Sequence, residues 1–229
     1  MPDTKFSFPK LKEHLRKYLW IYLAGIAVCL VVTNLLWTTT APRYSIEETL
    51  VVYLAGNSSD PEPLADIAQD MLAEAQASDE TLKQAEFQSL QYVADDYTSS
   101  MLLLTRLTVG EGDAFIASQE AMDALVLSQV LVPLDEYVDA GWLSEYELEP
   151  YYATLEDDET GEQTTFLAGL RMDKVDALYD MGAFYNKGAF LCVASNSGNV
   201  ETTMKALETM MRDLTEGNYA AAKATEPAA

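Results

Sequence analysis

The sequence predicts an α/β lobe with a mainly parallel sheet flanked by helices, joined to one N-terminal transmembrane helix. Three observations predict it. Residues 19–37, LWIYLAGIAVCLVVTNLLW, carry no charge. From Thr49 to Val126, strand-like and helix-like segments alternate in the order β-α-β-α-β-α, a pattern that builds parallel sheets with helices on both faces. The leading strand-like run, TLVVYLAG (49–56), is continuously apolar, as strands covered on both sides are.

The first element is the membrane helix. Nineteen uncharged residues at about 1.5 Å each span roughly 28 Å, close to the hydrocarbon thickness of a bilayer. Lys5, Lys10, Lys12, Arg16 and Lys17 precede it, against Asp3 and Glu13. This excess of basic residues predicts a cytoplasmic N-terminus. Tyr18, Trp20, Tyr22 and Trp37 stand at the two ends, where aromatic rings suit the headgroup region. Pro42 follows Ala41, and Val28 precedes Cys29; neither suits a cleavage site, so the segment reads as an uncleaved anchor. The expected organisation is a cytoplasmic basic segment (1–18), the transmembrane helix (19–37), a linker (38–47), an extracellular domain (48–216) and a loose tail (217–229).

Within the domain, the strand at 49–56 ends in Gly, Asn and Ser. Asp60 can cap the next helix and Pro61 suits its first turn; Leu64, Ile67, Ala68, Met71, Leu72 and Ala75 form its apolar stripe. EFQSLQYVADD (86–96) reads as the second strand. Ser99 or Ser100 opens a helix with Met101, Leu104, Thr105 and Thr108 on one side, closed by the glycines of GEGD (110–113). AFIA (114–117) is the third strand, and Ser118 caps a helix that turns Ala121, Met122, Leu125 and Val126 inward. DEYVDAGWLSEYELEPYY suggests short helical turns. LEDDETGEQTTFLAGLRM suggests a hairpin, with a turn at 157–162 and a strand at 164–170. AFLCVAS (189–195) is a further strand, followed by a helix with Val200, Met204, Leu207, Met211 and Leu214 on one face.

Composition narrows the function classes. After the anchor stand nine basic and 35 acidic residues, a formal −26; nucleic acid and anionic lipid are poor partners for such a surface. Only Cys192 lies beyond the anchor, so the domain has no internal disulfide. The single histidine, His14, precedes the anchor, which leaves the domain without a Ser-His-Asp triad, a Cys-His pair or a His-based metal site. An acid–base pair of carboxylates keeps an enzyme as a third-ranked reading. No cofactor is implied. EDDETGE (156–162) lacks the spacing of a calcium loop and reads as a solvated turn. GEG (110–112) lacks the Lys-Ser/Thr of a phosphate loop.

In open α/β sheets ligands bind in loops at the carboxyl ends of the strands. Here the loops supply six candidate ligand-binding residues: Asn57, Ser58, Asp95, Asp96, Ser118 and Gln119. The same residue types also serve as helix caps.

TVGEGDAFIASQEAMDALVLSQVLVPLDEYVDAGWL and AFLCVASNSGNVETTMKALETMM carry a family likeness. The first runs from a Gly-rich turn and an aspartate into a short strand, a polar loop, a helix and a PLDEY segment. The second is a returning strand followed by a helix, with Asn196, Ser197, Asn199 and Glu201 as its markers. Together they resemble the extracellular solute-binding proteins of ABC importers, particularly the sugar-type family, over most of residues 48–216. The sequence departs from the pattern at Glu111 and Gly112, where the family has a proline. Only about twenty residues separate FLAGLRM from AFLCVAS, where the family places its second lobe.

The resemblance implies a single periplasmic-binding-protein-like lobe, non-catalytic, held on the outer face of the membrane through residues 19–37. It implies a small sugar-like solute or an ABC permease as partner, hence carbohydrate transport. The alternative is an interaction or scaffold module that no longer binds solute and meets a protein on the face left by the missing lobe.

Overall fold

The computed structural model describes residues 8–40, 44–58, 60–156 and 163–216. The chain forms two compact units, Met1–Arg43 and Tyr44–Ala229. The first holds one helix, α1 (Phe8–Thr40). Its stretch Arg16–Leu36 has a mean hydropathy of 2.2 and buries none of its apolar window, so it is long and apolar enough to cross a membrane.

The second unit contains one six-stranded sheet with helices on both faces. Its elements are β1 (Thr49–Gly56), α2 (Ala65–Ser78), β2 (Gln84–Gln91), α3 (Tyr97–Val109), β3 (Ala114–Ala117) and α4 (Gln119–Leu127). Then come α5 (Asp135–Asp139), β4 (Glu149–Glu156), β5 (Gln163–Arg171), α6 (Ala177–Asp180), β6 (Phe190–Val193) and α7 (Val200–Glu216). The strand order is β2-β1-β3-β6-β5-β4. Strands β2, β1 and β3 are parallel, side by side and in the same direction as expected. The β3–β6, β6–β5 and β5–β4 pairs are antiparallel, so the sheet is mixed and its parallel pairing is confined to one half. Residues 135–188 build no opposing lobe among the described residues: β4 and β5 extend the same sheet.

Period-two alternation in β1 feeds two cores. Leu50, Val52 and Leu54 face one way, onto Met71 of α2 and Leu207 and Met211 of α7. Val51, Tyr53 and Ala55 face the other, with Leu103 and Leu107 of α3 and Met122 and Leu125 of α4. The α2 stripe is inward as its spacing requires, with Leu72 only partly covered. Asp60 Oδ1 accepts a hydrogen bond from Glu62 N at 3.0 Å, opening a short 3₁₀ turn before α2.

Several expectations are corrected. Strand β2 stops at Gln91, not at residue 96, because Tyr92 N turns to Gly56 O (3.2 Å) and Asp95 adopts a left-handed φ of 65°. Asp96, not Ser99 or Ser100, opens α3, accepting from Ser99 N at 2.8 Å. Helix α3 buries Ser99, Leu103 and Leu107 and leaves Met101, Leu104, Thr105 and Thr108 exposed. The EPYY segment begins strand β4 rather than a helical turn, and the expected hairpin follows from it. Ser59, residues 157–162 of the acidic turn and the tail from 217 lie outside the described residues.

Candidate functional site at the carboxyl ends of the parallel strands

The order β2-β1-β3 sends the crossovers from β1 and β2 to opposite faces, α2 on one and α3 on the other. The carboxyl ends of β1 and β3 are therefore the topological switch point, where a crevice opens in sheets of this kind. Gly56, Asn57 and Ser58 leave β1 there; Ser118 and Gln119 leave β3.

The crevice holds a segment of the chain itself. Between β5 and β6 the chain crosses this end of the sheet, and Phe184 forms an antiparallel bridge with Ser58. Tyr185 N donates to Asn57 O at 2.8 Å, and Asn57 N donates to Asn186 Oδ1 at 2.6 Å. The Phe184 ring is 1% exposed. A Cβ on Gly56 would stand 2.8 Å from Asn186 Oδ1, 2.9 Å from Ser118 Cβ and 3.1 Å from Phe184 Cζ. The glycine, at φ 153°, is what lets the crossing segment lie so close.

Of the six candidate residues, Asn57, Ser58 and Ser118 come together around this contact. Asn57 is exposed, but its backbone is engaged on both sides by the crossing segment. Ser58 is buried; its hydroxyl shares a 2.7 Å hydrogen bond with Ser89, and its carbonyl accepts from Gln91 Nε2. Ser118 is buried and caps α4 through Ala121 N at 3.3 Å. Asp96 caps α3, while Asp95 is exposed beside it. Gln119 points away to a polar cluster: its amide donates to Asp123 Oδ1 at 2.8 Å and to the Tyr151 hydroxyl at 3.5 Å, and that hydroxyl donates to Asp123 at 3.2 Å. Burial, and secondarily the Asp123 charge, pushes the Tyr151 hydroxyl up in pKa.

Phe184, Asn186, Asp123 and Tyr151 are absent from the sequence reading. The one signal for the first two is length: the β5–β6 connection is too short for a lobe but long enough to cross the sheet end. Its outer rim is aromatic. Tyr179 and Tyr185 are exposed and meet edge to face with centroids 6.2 Å apart, and Lys187 Nζ lies 5.3 Å from the Tyr179 ring.

Grooves also lie elsewhere. One, of about 570 Å³, sits at the amino ends of the strands and is lined by Leu50, Asp79, Leu82, Asp113, Asn196 and Asn199 among others. Another, of about 420 Å³, lies between α7 and the turn after α5. Among the described residues no three His, Cys, Asp or Glu side chains are grouped to hold a metal ion.

No family model matches the chain, and no curated protein matches it. Among solved structures, the spermidine/putrescine ABC transporter substrate-binding protein PotD from Streptococcus pneumoniae aligns at 18% identity with a TM-score of 0.26. The alignment covers 47% of this chain and 33% of that one, so the chain matches about a third of that protein's length.

Proposed function

We propose that this chain is a membrane-anchored, non-catalytic lobe of solute-binding type that meets another protein at the carboxyl end of its sheet instead of closing around a solute. One observation carries the reading: Phe184 and Asn186 fill the crevice in which a solute would sit. Asn57 and Ser58 then hold the crossing segment rather than a ligand, and Ser118 caps α4. The rim supplies two exposed tyrosines, Tyr179 and Tyr185, a residue type enriched at protein contacts. The apolar helix Arg16–Leu36 and its basic flank support anchoring with the domain outside.

A second reading keeps a small solute, in the groove at the amino ends, which Asp79, Asp113 and Asn199 line together with Leu50 and Leu82. Thermal unfolding of the full chain in nanodiscs separates the two. A ligand that binds only the folded state raises its melting temperature. We expect no shift with sugars, amino acids, polyamines or short peptides at millimolar concentration. A saturable rise that survives Tyr185→Ala and is lost in Asn199→Ala would favour the second reading.

A further inference from the structure

We infer that the protein met at the carboxyl end of the sheet is basic, and that it sets lysine or arginine side chains against the exposed tyrosines there. This rests on the reading above, which places the contact, and adds the chemistry of the partner.

Strand direction gathers five connections at this end. Strands β1, β2 and β3 finish there. Strand β5 finishes there too, being antiparallel to β6 as β6 is to β3, and β4 begins there, with Glu149 opposite Arg171. The connections, 57–64, 92–97, 118–120, 147–149 and 171–189, hold ten acidic residues and three basic ones. Asp60, Asp95, Glu120 and Asp176 are exposed on four of them. The three basic residues are engaged. Arg171 pairs with Asp173 at 2.9 Å, Lys174 pairs with Glu147 at 2.6 Å, and Lys187 Nζ lies against the Tyr179 ring. The surplus is therefore negative, and it is spread over a surface rather than gathered in a cavity.

Tyrosines are set into that surface. Tyr179 and Tyr185 are exposed, and Tyr97, 77% exposed, opens α3 at the same end. The face of an aromatic ring attracts a cation, and Tyr179 already takes one from Lys187. Tyr185 stands edge to face with Tyr179. Among the described residues no lysine or arginine lies over the Tyr185 ring.

Charge complementarity selects the occupant. A second copy of an acidic domain is repelled. A neutral partner would strip water from the carboxylates and leave them unpaired. A metal ion finds no three grouped ligands among the described residues. A small amine reaches one or two of these carboxylates. A basic protein surface faces many at once, with potentials that match, speed the encounter and fix the register. Arginine against tyrosine also joins two residue types enriched among the dominant contacts of interfaces.

The test is photocrosslinking of the full chain, with Tyr185→p-benzoylphenylalanine, in membranes of the cells that make it. Folding of each variant is checked by circular dichroism and melting temperature. We expect an adduct whose partner-derived peptide carries lysine or arginine. Its yield should fall by about fivefold or more as salt rises from about 50 to about 500 mM, because screening weakens attraction between opposite charges. The triple variant Asp95→Asn/Glu120→Gln/Asp176→Asn should lower the yield by about tenfold. Glu47→Gln/Glu80→Gln, at the opposite end of the strands, should leave it within about twofold. A yield that is flat or rises with salt overturns the inference, as does an equal loss from both sets of substitutions, which would indicate bulk charge alone. Either result leaves the protein contact standing and removes only its basic character. No adduct, at Tyr185 or with the same probe at Tyr179, removes the contact itself and the inference with it.

Discussion

A methyl group at Gly56 has nowhere to go. Its neighbours are an amide oxygen, a buried cap and the edge of an aromatic ring, and the backbone lies where side chains rarely permit it. Gly56→Ala should destabilise the domain by about 1–3 kcal/mol through combined strain and displacement. The same change in a Phe184→Ala/Asn186→Ala background should cost measurably less, because the obstructing atoms are gone. Urea unfolding of the four proteins gives the coupling, and equal costs in both backgrounds would show that the crossing segment does not press on Gly56. Ser118 was legible as a cap, because a capping oxygen acts on backbone only two or three residues away. Phe184 and Asn186 were not. Their partners lie more than a hundred residues away, and no periodicity marks a side chain that fits one distant glycine.

Asp113 joins several elements at once. Its carboxylate accepts from Val51 N of β1 and from the Ser197 hydroxyl before α7, both at 2.8 Å, and its carbonyl accepts from Ala194 N after β6. Burial nonetheless outweighs these hydrogen bonds and raises its pKa. A raised carboxyl holds its proton more tightly in the folded state. Its stabilising contribution is therefore complete below the unfolded value, about 3.9, and is lost as pH rises through the folded value. The stability of wild type relative to Asp113→Asn should fall over that interval and then level. Urea titrations of both proteins across a pH series check this; a flat difference would contradict it. Most elements were readable from pattern. The spacings of α2, α4 and α7 admit only one buried face, and β1 and β3 are apolar throughout. Helix α3 was readable as a helix but not in orientation, since Leu102, Leu103 and Leu104 supply an apolar residue to every side and only tertiary packing selects Leu103 and Leu107. Strand β4 escaped because Pro150 and the flanking glutamates, which suit an edge strand, are also what turns contain.

At the scale of the chain, the short spacing between the last strands left no room for a further lobe there, and among the described residues β4, β5 and β6 complete one layer rather than founding another. The antiparallel half was less visible, because strand direction depends on where connections land and not on which residues form the strand. The proposed topology has a direct check. Protease added to intact cells should remove residues beyond the linker while an N-terminal epitope survives; full protection of the C-terminal part would contradict an external domain. Arg171 and Phe190 are register partners in β5 and β6, so the intervening connection departs and returns at neighbouring points. Exposed Lys174 stands just inside that gateway. A compact module with adjacent termini could be spliced in there without disturbing any ladder, which makes the fold a ready chassis for grafting an artificial jaw or a fluorescent reporter.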